Sequence, residues 1–258
     1  MHMTQKAPIL EFDDDRSAIL MPDPYRFSGG KPVPARGVLC FFKDVLDDLL
    51  EKNELMLIGY LGSEMGKHPV YSYNKFDKPI TVFHPGVGAP LAAGFLDELI
   101  AVGVTRFIVC GGCGVLDPEI VAGHPVILTS AVRDEGTSYH YLPPSREVKP
   151  HPVAVEALEK IFIEAGLDYR TGKTWTTDAI YRETPGRRNL RLEEGCDVVE
   201  MEAAAFFAVA KFREIILGQV VYGGDLVVPE GWDGRDWHKR GEDRRLMFDM
   251  AVKAALLL

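Results

Sequence analysis

The stretch DVVEMEAAAFFAVAKF, Asp197 to Phe212, decides how the chain is read. A short apolar strand, Val198–Glu200, runs straight into an Ala-rich run with helical spacing, Met201–Arg213. Two glutamates, Glu200 and Glu202, stand at the joint with Met201 between them. A carboxylate in the first turn of a helix is stabilised by the macrodipole and by free N–H groups, so it stays ionised while partly buried. Taken alone, Glu202 is either a helix-capping acid or an acceptor of two hydrogen bonds from a vicinal diol such as ribose O2′ and O3′.

Working outward, apolar runs and helical-period runs alternate along the chain. The patterns predict strands at Ala18–Met21, Leu55–Tyr60, Val70–Tyr73, Ile80–His84, Phe107–Cys110, Val126–Ser130, Tyr169–Thr176 and Ile215–Tyr222 as well as Val198–Glu200. They predict helices at Phe42–Lys52, Ala89–Val102, Pro152–Ala165, Gly186–Glu194 and Arg235–Leu257 as well as Met201–Arg213. Strands that are apolar throughout, such as RFIVC and EIILGQVVY, require a sheet covered on both faces. The expectation is a three-layer α/β/α domain with a mixed central sheet, residues 18–258, preceded by an N-terminal extension, residues 1–17. The Pro-rich stretch YLPPSREVKPHP, Tyr141–Pro152, reads as a connecting loop and a candidate lid.

The chain has 258 residues, of which 26% are charged and 47% hydrophobic, and a net charge of −9. These values suit one large α/β domain with a small-molecule ligand and argue against a nucleic-acid or anionic-membrane partner, both of which need a basic face. No apolar run reaches the roughly 18–20 residues of a membrane span and MHMTQKAPIL lacks a signal-peptide core, which gives the expectation of a cytoplasmic protein. Four cysteines make no disulfide framework. Cys110 and Cys113 have the spacing of a redox pair or half a zinc site, but no second such pair exists and no basic neighbour is present to lower a thiol pKa.

Open α/β sheets bind ligands beyond the carboxyl ends of their strands, which points to four segments. HPGVGAP, His84 to Pro90, is either a tight strand-to-helix turn or a backbone cradle for an anion. CGGCG, Cys110 to Gly114, reads as a turn allowing close backbone approach to a ligand. VVEME is the third. VYGGDLV, Tyr222 to Val228, ends a buried strand in a flexible turn, where Asp225 is either an Asx-turn acid or a proton donor to a leaving group. Arg36, in PVPARGVLCFF, reads as preceding a helix, as a solvated group or an anion clamp.

Together VVEMEAAA, TTDAIY, DEGTSYHYLP and the spacing of CGGCG resemble the nucleoside phosphorylase and nucleosidase superfamily, over Ala18 to about Asp225. That group holds hexameric purine nucleoside phosphorylases, uridine phosphorylases and methylthioadenosine nucleosidases. The resemblance implies the phosphorylase/hydrolase-like fold, ribose held by Glu202, Met201 packed under the sugar, and Glu200 supporting the ribose or the preceding backbone. Asp225 falls where purine-cleaving members carry the acid that protonates N7, with Gly224 replacing a frequent serine. Gly111, Ile180, Tyr181 and Thr184 would line the base, and Arg26, Arg36 and Gly112 the phosphate, Arg36 reaching across a subunit interface.

The implied reaction is phosphorolysis of a purine nucleoside to base and ribose 1-phosphate, with phosphate as co-substrate and neither metal nor organic cofactor. The implied assembly is a homo-oligomer, a dimer or a hexamer built as a trimer of dimers. The phosphate site departs from the pattern: in MPDPYR, Pro22 replaces a glycine and offers no N–H, Val109 replaces an arginine, and Gly112 a serine or threonine. Arg133, Arg182 and Arg187 are candidates to rebuild it. Hydrolysis by water, uridine phosphorolysis and a non-catalytic nucleoside-binding role stand as alternatives.

Overall fold

The computed structural model describes residues 7–25, 27, 32–76 and 78–258. The first half runs β1 (Arg36–Cys40), α1 (Lys43–Glu51), β2 (Leu55–Ser63), β3 (Gly66–Tyr73), β4 (Ile80–Phe83), α2 (Ala89–Ala101), β5 (Arg106–Val115) and β6 (Pro125–Asp134). The second half runs β7 (Glu147–Val148), α3 (Pro152–Glu164), β8 (Arg170–Thr177), α4 (Pro185–Glu193), β9 (Cys196–Glu200), α5 (Ala203–Arg213), β10 (Ile216–Val228), β11 (Gly231–Asp233) and α6 (Gly241–Leu257).

All strands join one mixed sheet in the order β11-β10-β6-β8-β9-β5-β1-β4-β3-β2, with β7 on β6. β10 also pairs in parallel with β5, so β5, β10, β6, β8 and β9 close on themselves while β1 to β4 fan out from β5. Closure removes the edges of the half that carries the candidate residues. Two cores cover the two faces, as the three-layer reading requires. One packs α2 and α5 on the sheet through Phe95, Leu96, Phe206 and Phe207, and the other packs α1, α3 and α6 through Leu49, Phe162, Met247 and Phe248.

Several expectations are corrected. Ala18–Met21 pairs with no strand and its side chains are exposed, leaving its apolar alternation without a face to bury. Arg36 opens a central strand, β1, rather than preceding a helix; its run of buried residues, Val38 to Cys40, is held between β4 and β5. CGGCG is not a turn. Its glycines stay extended inside β5 because β10 pairs along one side, Gly111 with Val221 and Gly112 with Tyr222, and β9 meets Gly114 through Val199.

Nor does β10 stop at Tyr222: it runs on to Val228, with a register shift between Gly223 and Leu226 that turns Asp225 out of the ladder. α5 starts at Ala203, and α6 at Gly241, because a 3₁₀ turn at Trp237–Lys239 takes up the start of the predicted last helix. The Tyr141–Pro152 loop is pinned rather than free. The Arg133 guanidinium donates to Ser138 Oγ, Leu142 O, Pro143 O and Ser145 Oγ, and β7 pairs with β6. Among the described residues no helix is long and apolar enough to cross a membrane.

Candidate active site

The two glutamates divide their work. Glu200, at the end of β9, is buried and caps α5: its Oε2 accepts from the N–H of Glu202 (2.7 Å) and of Ala203 (2.6 Å). Its Oε1 accepts from Thr176 Oγ1 at 2.6 Å and Thr174 Oγ1 at 3.2 Å, and Thr176 Oγ1 in turn accepts from Ala204 N–H. The open N–H groups of a helix need such partners, and two strands supply them here. Burial raises the Glu200 carboxyl above its ordinary range.

Glu202 is therefore released from capping. Its Oε1 accepts instead from the N–H of Gly88 at 2.6 Å. Gly88 is the N-cap of α2 with φ +93°, a backbone that other residues adopt only under strain. The HPGVGAP turn is a tight strand-to-helix turn whose Gly88 N–H holds the protein's own Glu202 carboxyl. The expectation that Glu202 stays ionised is corrected. Burial, and next the charge of Glu200, push its carboxyl up to about 8, against the pull of the Gly88 and Met201 N–H groups. Met201 beside it is half-buried.

Asp225 lies across β5 from this pair. Gly114 separates them: a Cβ there would meet Val199 Cγ1 at 2.9 Å and Asp225 Oδ2 at 3.6 Å. The buried Cys113 thiol, raised by burial, is raised further by the charges of both Asp225 and Glu200, which places the two carboxylates around one strand end. Asp225 is half-buried, and its Oδ2 accepts from Trp232 Nε1 of β11 at 2.6 Å. Ile180 and Tyr181 form an exposed 3₁₀ turn after β8, while Thr184 caps α4 by accepting from Arg187 N–H.

The expected anion end looks different. Val109 is fully buried in the α2 and α5 core. Gly111 is covered: a Cβ would meet the Phe41 ring at 3.0 Å, and that ring packs edge-on against His84 and Phe206. Gly112 is exposed beside the Tyr222 ring. Arg36 sits at the start of β1, the opposite end of the sheet, with Nη2 donating to Leu258 O at 3.3 Å. Within one chain it does not join Glu202. Arg133 is consumed by its loop and Arg187 by Asp134 at 3.0 Å. Lys43, which opens α1 and lies within electrostatic range of His84, is exposed and bonded to Asp47. His84 is held toward its neutral form, chiefly by burial. Arg26 lies outside the described residues.

The Cys110 and Cys113 thiols are both pushed well up by burial, the opposite of what nucleophilic or redox chemistry needs. Among the described residues no group of three or more His, Cys, Asp or Glu is placed to hold a metal ion.

Residues 35–251 match the phosphorylase superfamily. The chain belongs to that superfamily. The match begins after MPDPYR, so the segment bearing Arg26 stands ahead of it. This superfamily member is 28% identical to the guanosine phosphorylase of Halorubrum lacusprofundi over 185 residues, 71% of this chain and 74% of the relative. It is 29% identical to the uridine phosphorylase of Treponema pallidum over 205 residues, 74% of this chain and 78% of the relative. Its fold matches the crystal structure of purine nucleoside phosphorylase from Toxoplasma gondii in complex with immucillin-H, with a TM-score of 0.76 at 20% identity, over 93% of this chain and 97% of that one.

Sequence reading missed three members of the site. Gly88 was visible only as a turn glycine, Trp232 stood in a stretch assigned to no element, and Phe41 was read as part of a helix approach.

Proposed function

We propose that this protein cleaves the N-glycosidic bond of a purine nucleoside, with Glu202 on the ribose diol and Asp225 as the acid at the base. The observation that carries this reading is the division between the glutamates: Glu200 takes over capping of α5, which leaves Glu202 held by Gly88 and released from that task. Asp225 gives its proton to N7, the C1′–N9 bond breaks with its electron pair passing to the base, and positive charge builds on the ribosyl ring. The Glu202 carboxyl, hydrogen-bonded to the ribose hydroxyls, fixes the ring where that charge builds, and this positioning lowers the barrier.

The phosphorylases among its relatives support phosphate as the acceptor, one phosphate oxygen bonding to C1′ to give ribose 1-phosphate. A second reading, attack by water with loss of its proton to solvent, is favoured by the Phe41 ring over Gly111 and by Val109 locked in the core. Incubating purine nucleosides with and without phosphate and identifying the sugar product tests both. Absence of any base release from a folded sample would refute the proposal; free ribose formed without phosphate would establish the second reading.

A further inference from the structure

Trp232 is held at a place that burial does not explain. It is 67% exposed, yet its Nε1 donates to Asp225 Oδ2 at 2.6 Å. The hairpin builds this contact. β11 pairs with β10 so that Trp232 stands opposite Val227 and Asp233 opposite Leu226, which makes Trp232 and Asp225 diagonal neighbours on one face. Val227 and Asp225 share that face, since both approach a Cβ placed on Gly114, at 3.3 and 3.6 Å. The indole ring reaches along β11 over Gly234, where a Cβ would meet its Cη2 at 3.0 Å.

The far end of β11 is fixed as well. Arg235 Nη1 donates to Ile120 O at 2.8 Å, and the Arg235 N–H donates to Asp233 Oδ1 at 3.0 Å. Arg235 and Asp236 both take a left-handed backbone, with φ +46° and +53°, which residues other than glycine adopt at a cost. This tethered, strained exit keeps the short strand, and with it the indole, beside the acid.

We propose that Trp232 is a positioning residue whose indole N–H fixes the Asp225 carboxyl so that Oδ1 delivers the proton to the base; this rests on the purine-cleavage reading. An indole N–H donates and never accepts, so the carboxyl oxygen facing it serves as the acceptor and the other bears the acidic hydrogen. Without that bond the carboxyl turns about Cβ–Cγ, a broad torsion, and presents either oxygen to N7. When the proton passes from Oδ1 to N7, Asp225 becomes a carboxylate and the Trp232 bond becomes charge-assisted. It is then stronger in the transition state than with bound substrate.

The test is steady-state kinetics of Trp232→Phe, which keeps an aromatic ring and removes the N–H. The substrate is the purine nucleoside that the wild type cleaves fastest, with phosphate present. kcat should fall about tenfold, the worth of one hydrogen bond to a charged group, with KM within about twofold and an unchanged melting temperature. In an Asp225→Ala background, where the indole has no carboxyl to hold, the same substitution should cost nothing further. The N7-methylated form of the nucleoside carries a fixed positive charge and its base leaves without a proton, so the Trp232→Phe enzyme should cleave it at the wild-type rate. Where the wild type does not turn that form over, the Asp225→Ala comparison decides. Full kcat in Trp232→Phe, a loss confined to KM, an equal loss on both nucleosides, or an equal further loss without Asp225 overturns the assignment while purine cleavage stands. A wild type that cleaves no purine nucleoside overturns both.

Discussion

The two ends of the candidate pocket are built alike, each where a strand runs into a helix, yet they offer a ligand opposite surroundings. At the β9–α5 joint, hydrogen bonds hold both carboxyls: Glu200 caps the helix, two threonines steady Glu200, and Gly88 fixes Glu202. At the β1–α1 joint, the chain passes through Phe41 and Phe42, and the Phe41 ring fills the space over Gly111. The difference teaches that one joint is wired by hydrogen bonds from distant segments and the other is filled by an aromatic ring; under the proposed function the first serves the sugar. Buried carboxyls at the first joint are costly to maintain, and such costs are concentrated at functional sites.

The largest effect expected is from Asp225→Asn, which keeps shape and hydrogen bonding but removes the acid. kcat on purine nucleosides should fall about 10²–10⁴-fold in steady-state assays while the melting curve stays in place. Full rate in this variant would move the acid elsewhere and break the contrast at its wired end. Next is Glu202→Ala, which removes the diol acceptor; kcat/KM for ribonucleosides should drop about 10²–10³-fold. A loss confined to stability would reduce Glu202 to a structural acid.

The pH dependence of Glu202 sharpens the same contrast. Its folded value, about 8, lies above the usual value of a free glutamate, so the native state holds the proton more tightly than the unfolded chain does. The favourable contribution of the neutral form is complete at low pH and is lost as pH rises through about 8. Glu202→Gln, which cannot ionise, should therefore melt higher than wild type near pH 9, by about 1–3 kcal/mol, and no higher near pH 5. Calorimetry at the two pH values checks this, and equal gains at both would contradict the raised value.

The smallest effect concerns the acceptor end. A side chain at Gly112 meets only the Tyr222 ring, at 3.4 Å or more, so Gly112→Ser fits without distortion. If phosphate is the acceptor, the added hydroxyl should lower its KM about two- to fivefold, the worth of one exposed hydrogen bond. No change in a phosphate-dependent enzyme would place the anion away from Gly112.

Much of this architecture was legible because long apolar runs at strand or helix spacing survive any tertiary context. α2, α3 and α5 lie within a residue or two of their predicted limits. What was lost follows from context that sequence does not carry. Glycines in CGGCG and YGGD signal turns locally, but the pairing of β5 with β10, and of Gly114 with β9, keeps these segments in strands. Arg36–Cys40 was hidden because a five-residue strand next to prolines looks like a helix approach. At the candidate site, the EME motif drew attention to both glutamates but not to which of them caps the helix, since that depends on Thr174, Thr176 and Gly88 from distant segments.

The most direct test is release of free base from adenosine, inosine, guanosine and uridine, with and without phosphate, with the sugar product identified. The account predicts release from purine nucleosides and little or none from uridine, and ribose 1-phosphate only when phosphate is present. Release from uridine at a rate equal to that from the purines, or no release from any of the four by folded protein, would contradict it.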